Sequence, residues 1–508
     1  MPAEVMYDKE RADLALQYLR ANTIGMRATN KVWPAAAGAE QAKGAAAKEA
    51  ESAPPAAPDA VPPPGPPPGP PPGQPDQPWR EDADYDPFSE RVVRLPYSDL
   101  GAAAHLLKGA MGAGLLAIPL GFKMSGLAVG VASGVLIAVA CTHCCTMLVL
   151  SSRLLCRRLR VPSLDFPSTV EAAFLTGHAR FRRYARACRF MVNFMLCFTY
   201  LGLPIIFIVV ISSSVQQLVQ HYTQADLSVR YYILMLVPFV LAMGMVRDLK
   251  WLVPLSHASN TLFLLGLGTT MYYVLRAAPS PAAARQTGVA ADYPLFLSAM
   301  IYGMENIGVI LPVENTMRHP QHMTSGRNVL VWSMSTIAFC YIFIGASGFL
   351  AFGEATRENI ILNLPVNEPA AQAVKVVIPV GVLLSYGLQL YVVPLTLWGG
   401  IQHRVPEGRR GAAFNLLRAG TVLFTVVVAL VVPNLRPVLA LVGAVGFSSL
   451  GLLFPALVDI VVAWDTASAL RLAKNLLIIV FWLVALLSGT YSALLEIRDT
   501  YFGEPQPS

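Results

Sequence analysis

Two short stretches carry residue types that can do chemistry in an otherwise apolar chain. The first, "HLLKGAMGAGLLAIPL" (residues 105–120), holds His105 and Lys108 one helical turn apart, then Gly109, Met111, Gly112, Ala113, Gly114 and Pro119. The second, "YGMENIGVILP" (residues 302–312), holds Tyr302, Gly303, Glu305, Asn306, Gly308 and Pro312. Glycine and proline are the weakest helix formers. A broken helix leaves N–H and C=O groups unpaired, which hydrocarbon does not tolerate, so it survives only where it lines a polar cavity. The freed groups suit a small zwitterion: half-helix N-termini face its carboxylate, and unwound carbonyls face its ammonium. The expected cavity is thus lined by Gly109, Met111, Gly112, Ala113 and Gly114 on one side and Tyr302, Glu305, Asn306 and Gly308 on the other.

Ionisable residues within such segments are costly and few. Glu305 either binds a proton or fixes the break by accepting backbone hydrogen bonds. His105 is the natural proton-coupling residue, because imidazole titrates near physiological pH; the alternative is a neutral histidine hydrogen-bonded in the bundle. Lys108 either pairs with a carboxylate or snorkels to the interface. Glu314 reads as a solvated residue at the segment's end. Tyr200 in "FTYLGLP", and Ser385, Tyr386, Gln389 and Tyr391 in "SYGLQLYVVP", either close the cavity or pack with satisfied hydroxyls. Glycine alone also serves close helix packing, and that reading is assigned to Gly126, Gly130 and Gly134, spaced at four. The cluster "CTHCC" (residues 141–145) reads as small, polarisable packing, since no second ligand pair has matching metal spacing. No external disulfide is expected.

These residues need a membrane scaffold, and the composition supplies one. Of 508 residues, 55% are hydrophobic and only 14% charged, against about a quarter charged in soluble domains. Eleven apolar segments are long enough to span: about 99–121, 126–152, 189–213, 231–247, 251–276, 293–313, 328–351, 372–399, 413–432, 435–461 and 471–494. Lys and Arg concentrate in the even-to-odd connections, above all Arg153, Arg157, Arg158, Arg160, Arg180, Arg182, Arg183, Arg186 and Arg189 between segments 2 and 3. The positive-inside rule then puts the N-terminus in the cytoplasm and the C-terminus outside it. The net charge of +7 is topological, and nucleic-acid binding drops away.

Three regions follow: a cytoplasmic tail (1–98), an all-α multi-pass domain (99–494) and a short extracytoplasmic tail (495–508). The start of the chain is charged throughout, and no secretory signal peptide is expected there. Its "PPAAPDAVPPPGPPPGPPPGQPDQP" run is expected to be extended and disordered, a spacer or a ligand for a proline-reading partner. "YDPF" (residues 85–88) resembles a tyrosine-based sorting signal. The two interrupted segments are the first and the sixth. Breaks five helices apart are the signature of two five-helix repeats of opposite topology.

The segments "HLLKGAMGAGLLAIPLGFKMSGL", "CTHCC" with "LCRRLRVPSLDF", "MENIGVILPVENTM" and "LQLYVVP" resemble, in order, those of the proton-coupled amino acid transporters of the amino acid/auxin permease superfamily. The resemblance covers about residues 98–495. It implies a LeuT-like 5+5 inverted repeat with broken helices 1 and 6. It implies symport of small neutral amino acids with protons, at the plasma membrane or a lysosomal or endosomal one. It places proton coupling on His105, and solute contacts on the glycine-rich break and around Glu305. The proton is the coupling ion, and no cofactor or metal is expected. Where the family reads "GNIGTG" or "ASLGTG" this chain reads "GAMGAG", so Ala110 and Ala113 replace polar residues. Asn306 stands where glycine usually follows the glutamate. The alternative function is an amino-acid sensor with little or no flux that signals nutrient status through its tail. A membrane enzyme is set aside, because no H-E-x-x-H, G-x-S-x-G or paired-carboxylate arrangement occurs.

Overall fold

The protein is described by a computed structural model covering residues 85–502, apart from 92, 94, 247–248, 278–284 and 305. The proline-rich run, Glu305 and residues 503–508 lie outside the described residues. The rest is helical: α1a (Asp99–Ala110), α1b (Ala113–Ser125), α2 (Leu127–Leu159), α3 (Ala185–Thr223), α4 (Val229–Gly244), α5 (Leu249–Arg276), α6a (Tyr293–Met304), α6b (Ile307–Thr316), α7 (Val329–Phe352), α8 (Pro369–Ile401), α9 (Arg410–Val431), α10 (Leu435–Ala463) and α11 (Ala469–Phe502).

Each expected span is helical, but the ends differ. Hydropathy finds the apolar stretch, whereas a helix continues wherever its backbone bonds can. Thus α3 has 39 residues, about 58 Å at 1.5 Å per residue, well beyond a hydrocarbon core of about 30 Å. The arginine-rich link before it folds as two further helices, Phe166–Thr176 and Ala179–Arg182; Asp165 caps the first by accepting from the Ser168 amide. At the other extreme, α4 has 16 residues with Pro238 inside. Among the described residues, eight helices are long and apolar enough to cross a bilayer, or nine if α1a and α1b are one span. Gly126, read as a packing residue, instead forms the turn between α1b and α2, at φ 77°. Gly130 and Gly134 do pack closely, against Phe122 and Ile342.

The helices pack in two groups. Helices 1, 2, 6 and 7 pack together, and so do α3, α4, α8 and α9. Several of the contacts recur when each helix is exchanged for the one five positions away. The pair α1–α7 maps to α6–α2, α3–α9 to α8–α4, α5–α8 to α10–α3, and α5–α7 to α10–α2; all eight pairs are in contact. Five is odd, so matched helices cross in opposite directions, and the repeat is inverted. Helix α11 stands outside it, packed on α10 and α6a. Only 17% of its apolar window is buried, against 82% for the sixth span and 78% for α10. The sixth span and α10 are therefore central, and α11 faces lipid. Exposed Leu136, Trp332, Leu416 and Leu477 continue that lipid-facing surface. The end of the bundle where residues 85–98 lie is called proximal below, and the opposite end distal.

Candidate functional site

The first break is built from "GAMGAG". Met111 and Gly112 leave helical geometry, and α1b departs from α1a at 57°. No side chain caps the start of α1b, so its first-turn amides have no side-chain partner there. On the other side of the break, the Tyr341 hydroxyl of α7 donates to the Ala110 carbonyl at 2.8 Å. The second break falls between Met304 and Ile307. Asn306 takes φ −122° and ψ 7°, and its carbonyl accepts from the amides of Val309 and Ile310, starting α6b. Glu305 belongs to this break by sequence and lies outside the described residues.

The two breaks meet. A Cβ on Gly109 would lie 2.6 Å from Asn306 Oδ1, and one on Gly114 would lie 2.2 Å from the Tyr302 ring. Glycine at both positions lets α1 and α6 approach at backbone distance. Gly303 packs directly on the Tyr341 ring, so Tyr341 touches both broken helices. Gly308 faces the Tyr200 hydroxyl of α3. Gly109, Met111, Gly112, Gly308 and Tyr200 all retain solvent exposure, whereas Ala110, Ala113 and Gly114 are buried. A Cβ on Gly112 would meet nothing within 4 Å. Space is therefore left at Gly112, while Tyr302 and Tyr341 pack on Gly114 and Tyr200 faces Gly308. The Asn306 amide is 2% exposed; its Nδ2 lies 3.8 Å from the Met334 sulfur, and its Oδ1 has no hydrogen-bond partner among the described residues.

Helix 8 does not join this cluster through Tyr386. That side chain is fully buried, with its hydroxyl paired to Thr425 of α9 at 2.8 Å. Ser385 bonds Ser259 of α5 at 2.6 Å, and Gln389 is half-buried on the same helix. A mid-membrane hydroxyl needs a partner, and a neighbouring helix supplied it. His105 lies one turn before the break, half-buried, with its ring 4.3 Å from that of Tyr97. Lys108 is also half-buried.

Three participants were not singled out in the sequence: Tyr341, Met334 and Phe447. Phe447 lies in a π-helical stretch of α10 (Val442–Phe447), its ring edge-on to Tyr302 at 5.3 Å. Tyr341 carries the signal that drew attention to Tyr200, a lone tyrosine in an apolar span. The π-helical turn has no comparable sequence mark.

Glu314 corrects an expectation. It is 0% exposed rather than solvated, and accepts from Arg153 Nε at 2.8 Å. Arg153 also bonds Thr324 and the Pro320 carbonyl, and Arg91 donates to the carbonyls of Pro162 and Glu314. Both guanidiniums lie over the Phe88 ring, at 4.9 and 5.3 Å. Tyr97 pairs backbone to backbone with Thr316 and Arg318, and Asp99 holds His322 and Arg327. Residues 85–98, read from sequence as the end of a tail, are stitched across the proximal end of α6b.

A sequence profile of transmembrane amino acid transporter proteins matches residues 97–495. The proton-coupled amino acid transporter-like protein pathetic of Drosophila melanogaster is 37% identical over 82% of this chain and 89% of its own length. The amino acid transporter AVT3C of Arabidopsis thaliana is 27% identical over 78% of this chain and 90% of its own. Among solved structures, MhsT in complex with L-phenylalanine aligns over 79% of this chain and 100% of its own, at 12% identity and TM-score 0.49. Relatives along the whole bundle are thus transporters rather than enzymes, and the chain belongs to the family of transmembrane amino acid transporter proteins.

Proposed function

We propose that the protein is a proton-coupled symporter for small neutral amino acids. It works by alternating access across the plasma membrane or a lysosomal or endosomal membrane, with its N-terminus in the cytoplasm. The observation that carries this reading is the meeting of the two breaks around a buried, unpartnered carbonyl. An orphaned polar group of this kind costs about 1–3 kcal/mol, which a ligand ammonium would offset. The solute's ammonium then bonds Asn306 Oδ1 and the unwound carbonyls near Gly109, and its carboxylate faces the first amides of α1b at Ala113 and Gly114. His105 takes the coupling proton, with Glu305 as the second candidate; the proton-coupled name of the Drosophila relative supports this assignment.

The test is uptake by purified protein in proteoliposomes, with and without an inward proton gradient, over a panel of labelled amino acids. Gradient-dependent uptake of small neutral members is expected, and its absence across the panel would falsify the reading. His105→Ala is expected to abolish gradient-driven uptake while the protein still folds and exchanges solute at equilibrium. Unchanged pH dependence in that variant removes His105 from the coupling.

A further inference from the structure

The arginine-rich link between α2 and α3 takes no part in the solute site. It lies at the proximal end, where Arg91 donates to its Pro162 carbonyl at 2.7 Å. Residues 153–189 hold nine arginines, no lysine and two acids, Asp165 and Glu171. Both acids are engaged: Asp165 caps a helix, and Glu171 pairs with Arg189. Arg153 is taken by Glu314. Arg180, Arg182, Arg183 and Arg186 have no carboxylate partner among the described residues, and Asp465, which follows Trp464, pairs with none of them. Arg180, Arg183 and Arg186 are exposed, and Arg182 Nε is buried without a hydrogen-bond partner among the described residues.

The positive-inside rule asks only for charge in the connection. Here the charge stands on a fixed scaffold. The Phe181 ring is edge-on to Phe174 at 6.4 Å and to Trp464, just past the end of α10, at 5.0 Å. A Cβ on Gly177 would lie 2.6 Å from Val461 of α10. Arg183 and Tyr184 keep right-handed helical geometry between Ala179–Arg182 and α3, so the arginines continue the surface of α3. At about 3.6 residues per turn, Arg183, Phe190 and Phe194 share one stripe, with Arg186 beside it. Phe190 and Phe194 are exposed and belong to the lipid-facing surface. The Arg183 guanidinium lies 4.7 Å over the Tyr184 ring. Exposed Tyr184 and Trp464 are the amphipathic rings that favour headgroup level. The four guanidiniums therefore stand where hydrocarbon gives way to headgroups.

We propose that Arg180, Arg182, Arg183 and Arg186 bind the headgroup of an anionic phospholipid that carries phosphate monoesters, with its acyl chains along Phe190 and Phe194. The guanidinium fork meets phosphate oxygens two at a time. A phosphate monoester carries about −1.5 to −2 charges at pH 7, so two of them balance four arginines. A phosphatidylserine headgroup, with one net negative charge, leaves three unmatched. The site does not depend on which solute is carried; only its leaflet, the cytoplasmic one, rests on the orientation proposed above.

The test uses the purified full-length protein in detergent micelles, with bound molecules counted by native mass spectrometry. It is titrated with phosphatidylinositol bisphosphate, with phosphatidylserine and with the water-soluble inositol phosphate headgroup alone. The bisphosphate lipid is expected to bind about tenfold or more tightly than either of the others. Arg183→Gln with Arg186→Gln should weaken that binding about thirtyfold, the effect of two basic residues at a membrane surface. Arg180→Gln with Arg183→Gln serves if the first pair fails to fold. Equal affinity for the two lipids, or unchanged affinity in the double variant, overturns the site. Equal affinity for the lipid and its free headgroup overturns the membrane occupant, since the stripe of Phe190 and Phe194 then contributes nothing. Loss of solute uptake has no bearing on any of these readings, so the transport proposal and this one fail separately.

Discussion

Tyr341 shows how much one hydroxyl can organise. It donates to the carbonyl freed by the first break and packs its ring where Gly303 approaches the second. Tyr341→Phe should lower stability by about 1–2 kcal/mol, the cost of leaving a buried carbonyl unpaired, read as a fall in Tm of the purified protein. If the hydroxyl also fixes the cavity, uptake falls more than stability does. An unchanged Tm would mean that another group or water satisfies Ala110. Glu314 makes a larger demand. Glu314→Leu leaves Arg153, whose side chain is only 14% exposed, without its charge partner, so a loss of up to about 3 kcal/mol is expected. Near-normal thermal unfolding of that variant would show the pair to be dispensable. At this scale the sequence was readable where a residue breaks a rule. Glycine and asparagine inside an apolar run marked the two breaks, which the structure brings together. Tyr386 stayed open between two readings, because its type does not say whether a helix partner or a solute satisfies the hydroxyl; Thr425 is the partner found.

Between residues and fold lies the junction of residues 85–98 with α6b. Phe88 under two guanidiniums, the Tyr97 backbone pairs and the Asp99 ion pairs together lock the proximal end. Phe88→Ala with Arg91→Ala removes the side-chain part, with a cation–π contact worth about 0.5–1 kcal/mol at a site of this kind. The proximal end should then open more often, seen as faster proteolysis within residues 85–98 and as uptake that depends less on the gradient. Proteolysis at the unaltered rate would assign the lock to the backbone pairs alone. The junction was not legible in the sequence. The contacts of Tyr97, Asp99 and Arg91 with the end of α6b and the loop after it join residues over two hundred positions apart, and nothing local distinguishes "YDPF" in a tail from "YDPF" against a helix. The spans themselves were legible, because about 20 apolar residues in a row have few other uses. Their ends were not, since helices such as α3 and α8 continue past the apolar stretch.

At the scale of the whole molecule, the inverted repeat was readable from the positions of two breaks, and the helix contacts repeat with the same offset. Close passage of α10 over α6a holds the arrangement together: a Cβ on Gly443 would lie 2.2 Å from the Ser298 carbonyl oxygen. Gly443→Val should therefore push the two central helices apart and cost several-fold in folded yield and transport, with Gly420→Val, where a Cβ meets nothing within 4 Å, as the tolerated control. Equal yields would mean that the π-helical turn absorbs the strain.

The stitched junction has a thermodynamic consequence. Phe88 completes "YDPF", and while the proximal end is closed its ring is occupied by Arg91 and Arg153. A protein that captures this motif through the aromatic ring must first displace both guanidiniums. Linkage is reciprocal: whatever factor proximal opening adds to capture of the motif, capture adds to proximal opening. If a sorting protein reads the motif and a solute drives proximal opening, the two are heterotropic effectors of one another.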